Sequence, residues 1–244
     1  MSADTADQGV AGVGMFIAGY TDEKAADGTL DALKEAGGFV YDDAAIVRRD
    51  AEGKVHIKET GDMSTGKGAG IGALIGGVIG ILGGPAGVAL GAGAGAAIGG
   101  IAAHADAGFD NDTLEEIGGA LPAGTSALGV TTSQDFVESV RAAATDEQTL
   151  TMARDIADEI SGNLNAGQDV LMALVITEDA VAATKVVAGP DAVAVFGIAA
   201  SEDGVAAGAV VATDGGVAAV EAAAVPVGDV SEAGGDSDST DDQN

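Results

Sequence analysis

The chain has 244 residues, with 39 acidic against 10 basic side chains, a formal net charge of −29, and neither cysteine nor tryptophan. These counts exclude a disulfide scaffold, thiolate metal sites and cysteine nucleophiles. They also argue against nucleic acid, whose binding needs neutralising cations, and against anionic lipid headgroups.

The acidic excess marks a surface suited to solubility. A salt-adapted source and an ordinary acidic protein both fit it. Part of the charge is local: residues 228–244, GDVSEAGGDSDSTDDQN, are acidic with no basic residue and a single valine. Such a stretch cannot bury enough to order itself, so a disordered acidic tail is expected. Residues 1–12 are also expected to be disordered. They show no positive region followed by an apolar run, so no secretory signal is expected and the chain should begin in the cytoplasm.

In chain order, VGMFIAG from Val13 predicts a buried strand. Asp22–Ala36 predicts a helix, with Ala26, Leu30 and Leu33 at helical spacing and Gly37-Gly38 as the stop. Phe39–Arg49 predicts a second strand, with a bulge at Asp42-Asp43 left open. Lys54–Thr60 alternates, placing Val55 and Ile57 on one face. Beyond a long Gly/Ala segment, Asp110–Leu121 predicts a capped helix, Thr125–Thr132 a strand and Ser133–Ala144 a helix. With the Gly/Ala segment deleted, the order is βαββαβ, the order of a ferredoxin-like α+β sandwich.

Asp146–Leu164 predicts a further helix, with Leu150, Ala153, Ile156, Ala157, Ile160 and Leu164 as its apolar stripe. Asp169–Ile176 predicts a buried strand. From Thr177 the chain repeats in blocks of 12: TEDAVAATKVVA, GPDAVAVFGIAA, SEDGVAAGAVVA and TDGGVAAVEAAA. Turn residues at this spacing predict short strands, forming a β-meander or a stacked β-repeat.

The predicted organisation is therefore a disordered N-terminus (1–12) and a ferredoxin-like domain (13–145) carrying a helical hairpin at 66–104. A helix plus strand (146–176), four β-type repeats (177–227) and the acidic tail (228–244) follow.

Gly68–Ala103 contains no charged side chain. Its glycines fall into two registers, each with a four-residue spacing: Gly68, Gly72, Gly76, Gly80 and Gly84, then Gly83, Gly87, Gly91, Gly95 and Gly99. Gly83-Gly84-Pro85 should stop a helix, so two helices are expected, at about 66–82 and 88–103. Each glycine costs about 1 kcal/mol against alanine in a helix. Close backbone approach along the glycine groove would offset that cost. The other faces carry Ile71, Leu74, Ile75, Val78, Ile79 and Leu82, which need cover. Helices of about 17 residues are at the bottom of the spanning range of ~17–25. A membrane-inserted hairpin, a glycine zipper buried by self-association, and a flexible linker all stay open.

The stretches GMFIAGYTDEKAADGTLDALKEAG, KVHIKETGDMSTGKGAGIGALIGGVIGILGGPAG and DNDTLEEIGGALPAGTSALGV resemble a bacterial family of predicted membrane proteins, domain of unknown function 1269. The layout is also similar to general-stress-protein 17M-like proteins. The resemblance covers roughly Val13 to Ala144. It implies a ferredoxin-like domain with a Gly-rich hairpin before its second helix, and a possible stress or envelope-related role. It supplies no catalytic residues.

Gly61–Lys67, GDMSTGK, fits the phosphate-loop pattern, but Gly68 stands where Ser or Thr should hold magnesium. Nucleotide is therefore not expected as a partner. His56 and His104 read as structural, and Asp203-Gly204 and Asp214-Gly215 as turns without the carboxylate density of a calcium loop. No catalytic, metal or cofactor residue is assigned, and no cofactor or enzyme activity is expected.

The sequence predicts a non-enzymatic protein that is membrane-associated or self-associating through its glycine register. Its partners would be copies of itself and the lipid bilayer, on the cytoplasmic side. The alternative is a soluble, cytoplasmic, homo-oligomeric regulatory or small-ligand-binding module with the hairpin buried in the oligomer.

Overall fold

The structure is a computed structural model that describes residues 12–36, 40–64, 75–82, 111–132, 146–177, 180–213 and 215–226. The elements are β1 (Gly12–Tyr20), α1 (Ala25–Ala36), β2 (Val40–Arg49), β3 (Val55–Ser64), α2 (75–82), α3 (Asn111–Ala120), β4 (Thr125–Thr131) and α4 (Asp146–Asn165). Five strands follow: β5 (Asp169–Thr177), β6 (Ala180–Ala188), β7 (Ala192–Ser201), β8 (Gly204–Thr213) and β9 (Gly216–Pro226).

All nine strands form one sheet in the order β3-β2-β4-β1-β5-β6-β7-β8-β9. Every neighbouring pair is antiparallel.

The expected small ferredoxin-like βαββαβ domain is not what forms. The molecule is mostly one large antiparallel sheet, with four helical stretches among the described residues. Burial explains the difference. In β3, Val55 and Ile57 pack on one side, while Lys58 on the other side bonds Asp27 at the surface. A strand with one apolar face belongs at the margin, and β3 takes the sheet's edge. β4 is buried along its whole length, so it lies between β2 and β1. β5 is apolar from Val170 to Ile176 and pairs with the other edge of β1. The repeats do not make a region of their own: β6 to β9 continue the same sheet outward from β5. Tyr41↔Met63 and Asp43↔Gly61 keep one register, so β2 and β3 pair through Asp42 without a bulge.

Helices pack on both faces of the sheet across β1, β2, β4 and β5. On one face α1 and α2 pack Ala26, Leu30, Leu33, Ile75, Val78 and Ile79 against Phe16, Ala18, Leu128, Val130 and Leu171. On the other face α3 and α4 pack Leu114, Ile117, Ala157, Ile160 and Leu164 against Ala45, Val47, Ala127 and Val170. The period-2 alternation of the strands serves both cores at once.

Local bonds fix the helix ends. α3 has no basic residue in its last turn. Arg49, on β2, supplies that cation, donating to the Gly119 and Leu121 carbonyls at 3.1 and 2.8 Å. Ahead of α1, the Ser126 hydroxyl donates to the Asp22 carbonyl and accepts from the Ala26 N–H. Past α4, Gly167 (φ 73°) adopts the left-handed conformation, and Gln168 N–H returns to the Asn163 carbonyl.

Gly19 sets how closely α4 approaches β1. A Cβ there would lie 2.6 Å from Ile160 Cγ2 and 3.3 Å from Val170 Cγ1. Gly19→Ala should therefore cost about 1–3 kcal/mol by overpacking. Gly28→Ala, on α1 with nothing within 4 Å of the new carbon, should be neutral or stabilising by up to about 1 kcal/mol. Urea unfolding of the two variants checks this, and equal stabilities would contradict the close-approach account.

Candidate functional site

Among the described residues, helix cover ends at the middle of the sheet. On the α4 side, opposite residues of successive strands form apolar rows. One row runs Ile17, Met172, Lys185, Phe196 and the next runs Met15, Leu174, Ala183, Ile198. Side chains directly opposite in an antiparallel ladder share a face, so these rows make one continuous floor. Over it stands the N-terminal half of α4, presenting Met152 and Ile156.

Floor and helix bound a trough with a volume of about 440 Å³, lined by both rows together with Met152 and Ile156. Phe196, Ile198 and Met152 are each about half exposed, at 45%, 49% and 45%. The floor extends past the trough through Val181 and Val205, which are also exposed. Large apolar side chains left open together mark a contact surface far more strongly than single ones do.

Among the described residues, Lys185 is the one ionisable residue in the lining. Its stem crosses the floor between Met172 and Phe196, and its ammonium bonds Glu159 Oε1 on α4. Glu159 Oε1 also accepts from Asn163 Nδ2 at 2.9 Å. Lys185 first, and then Asn163, hold the Glu159 carboxyl below the usual carboxylate range. The pair ties the sheet to the helix beside the trough.

Of the residues singled out in the sequence, Gly76 and Gly80 lie on α2 and are half-buried, while Ile75, Val78 and Ile79 of the same helix are fully buried in the chain's own core. Gly68, Gly72, Gly84, Gly87, Gly91, Gly95 and Gly99 lie outside the described residues, as do His104 and the tails 1–11 and 227–244. The structure therefore does not bring the nine glycines together at any described site. Gly61–Ser64 of the phosphate-loop pattern are strand residues paired with Val40–Asp43. The backbone there is an extended strand rather than the turn that a phosphate loop requires. His56 Nε2 lies 2.7 Å from Asp50 Oδ2. The bond from His56 and the Lys54 N–H keep the Asp50 carboxyl below its ordinary value. Both groups secure the β2–β3 turn.

The trough was missed by the sequence reading. Its residues come from β1, α4, β5, β6 and β7, and only strand order brings them together. A signal was present: Met152, Met172, Lys185 and Phe196 are long or aromatic side chains in an Ala/Val-rich background.

Comparison with known proteins identifies a family for part of the chain. Residues 69–169 match the family described as Protein of unknown function (DUF1269). The resemblance read from the sequence thus holds as to family, over a segment that begins later and runs further than Val13–Ala144. It spans α2, α3, β4 and α4, less than half of the chain. A family of unknown function brings neither a membrane role nor a 17M-like assignment with it. No curated protein and no solved structure matches the chain.

Proposed function

We propose that the chain is a non-enzymatic binding protein whose trough takes an apolar small molecule or hydrocarbon chain. The trough itself carries this reading. Small-molecule sites are concave, mostly apolar and about 300–1,000 Å³ in volume, with few polar groups. The space between α4 and β5–β7, at about 440 Å³, has these properties. Its single ionisable residue is already paired with Glu159, so the lining offers grip and orientation rather than an acid–base couple. The test is titration of the full chain with the uncharged apolar dye N-phenyl-1-naphthylamine. Saturable fluorescence at one site per chain is expected, with Phe196→Asp weakening it at least tenfold. Phe196 is half exposed, so the fold should tolerate that change. A linear, non-saturating response, or equal binding by the variant, would contradict the reading.

A second reading, self-association through the glycine register, is favoured by α2. Its Ile/Val face is spent on the chain's own sheet, whereas Gly76 and Gly80 are only half-buried. A glycine face left this accessible suits close packing with another helix, from a second copy or within a bilayer. Among the described residues no helix is long and apolar enough to cross a membrane. In either reading the expected location is cytoplasmic, free or at the membrane's inner side. Light scattering should give a mass above the 23.4 kDa of one chain, falling towards it in Gly76→Leu. A wild-type mass of one chain would end this second reading.

A further inference from the structure

We infer that the trough's ligand is a single-chain amphiphile with a carboxylate head, held by Lys185. This rests on the apolar-ligand reading above and adds the head-group chemistry. Three observations support it.

The first is placement. Lys185 stands within the apolar row between Met172 and Phe196, not at a solvent-facing edge. Its ammonium therefore stands beside the apolar surface that would take a hydrocarbon chain.

The second is unused donor capacity. A lysine ammonium carries three N–H donors. Among the described residues Lys185 gives one, to Glu159 Oε1. Its side chain is 34% exposed, so a ligand oxygen can reach the remaining donors.

The third is charge selection. The chain carries a net charge of −29, so its long-range field disfavours an anionic ligand, and only a local donor such as Lys185 can hold one. Lys185 is the only such group in the lining. A carboxylate can accept from the remaining Lys185 donors, whereas a quaternary ammonium has no N–H to offer Glu159. The hydrocarbon would extend over Leu174, Ala183 and Ile198. At the ~30 Å³ share of a water molecule, the space holds on the order of ten to fifteen heavy atoms.

Glu159 competes with the ligand for the ammonium. Removing its charge should therefore strengthen carboxylate binding, while removing the ammonium should weaken it. A merely structural ion pair would not give opposite signs for its two partners.

The experiment is calorimetric titration of the full chain with dodecanoate, dodecanol and dodecyltrimethylammonium, each below its micelle-forming concentration. Wild type should bind dodecanoate at least tenfold more tightly than dodecyltrimethylammonium. Lys185→Met should lower dodecanoate affinity about tenfold and leave dodecanol within twofold. Glu159→Gln should raise dodecanoate affinity several-fold. Lys58→Met, which removes a cation on the opposite face of the sheet, should change nothing. If all three probes bind wild type and Lys185→Met alike, the head-group assignment is overturned and the trough stands. If none of the three binds wild type, both the assignment and the apolar-ligand reading fall. Should Lys185→Met lose its circular-dichroism spectrum, the rise or absence of a rise in Glu159→Gln decides the matter.

Discussion

The architecture depends on the burial of β1 from both sides. Phe16 and Ala18 face α1 and α2, while Ile17 and Gly19 face α4. A strand without a solvated face cannot be covered by one helix layer, so both layers are required. Antiparallel sheets more often leave one face to water. Here the helices that follow β1, β3 and β4 in the chain provide the double cover. β4, buried along its whole length, lies between β2 and β1 in the covered part.

The meander follows a different logic. The four repeats give β6 to β9 mostly Ala and Val on both faces, and local hairpin turns let each strand pair with the one before it. Small side chains bury little area apiece, so β8 and β9 need little cover, and among the described residues their backbones pair along the meander. The trough forms at the boundary between these regimes. There α4 covers β1 and β5, and the larger residues of β6 and β7, Lys185, Phe196 and Ile198, lie at the margin of that cover. A floor built on sheet strands holds its geometry better than one built on loops.

Much of the local structure was legible from periodicity and punctuation. The apolar run in DVLMALVI from Asp169 predicted a buried strand, which β5 is, and Gly37-Gly38 and Pro122-Ala123-Gly124 marked the stops. Strand order was not legible, because which strand lies beside β1 depends on partners more than a hundred residues away, such as Ile17↔Gly129. A reading in chain order places the strand with Val55 and Ile57 inside the sheet, whereas competition for the two-sided position puts β4 there. The candidate site was hidden for the same reason. Met152, Met172 and Phe196 have no sequence relation to one another, and become neighbours only once β5, β6 and β7 are laid side by side under α4.

The boundary between the helix-covered strands and the meander leaves an accessible apolar trough. Methyl NMR of the full chain under xenon pressure tests it directly, since xenon enters apolar space without needing a polar partner. The account predicts saturating shifts for the methyl groups of Met152, Ile156, Met172 and Ile198, with those of Ile75, Val78, Ile79 and Val186 unmoved in the opposite core. Shifts confined to that core, or none at the four trough residues, would contradict it.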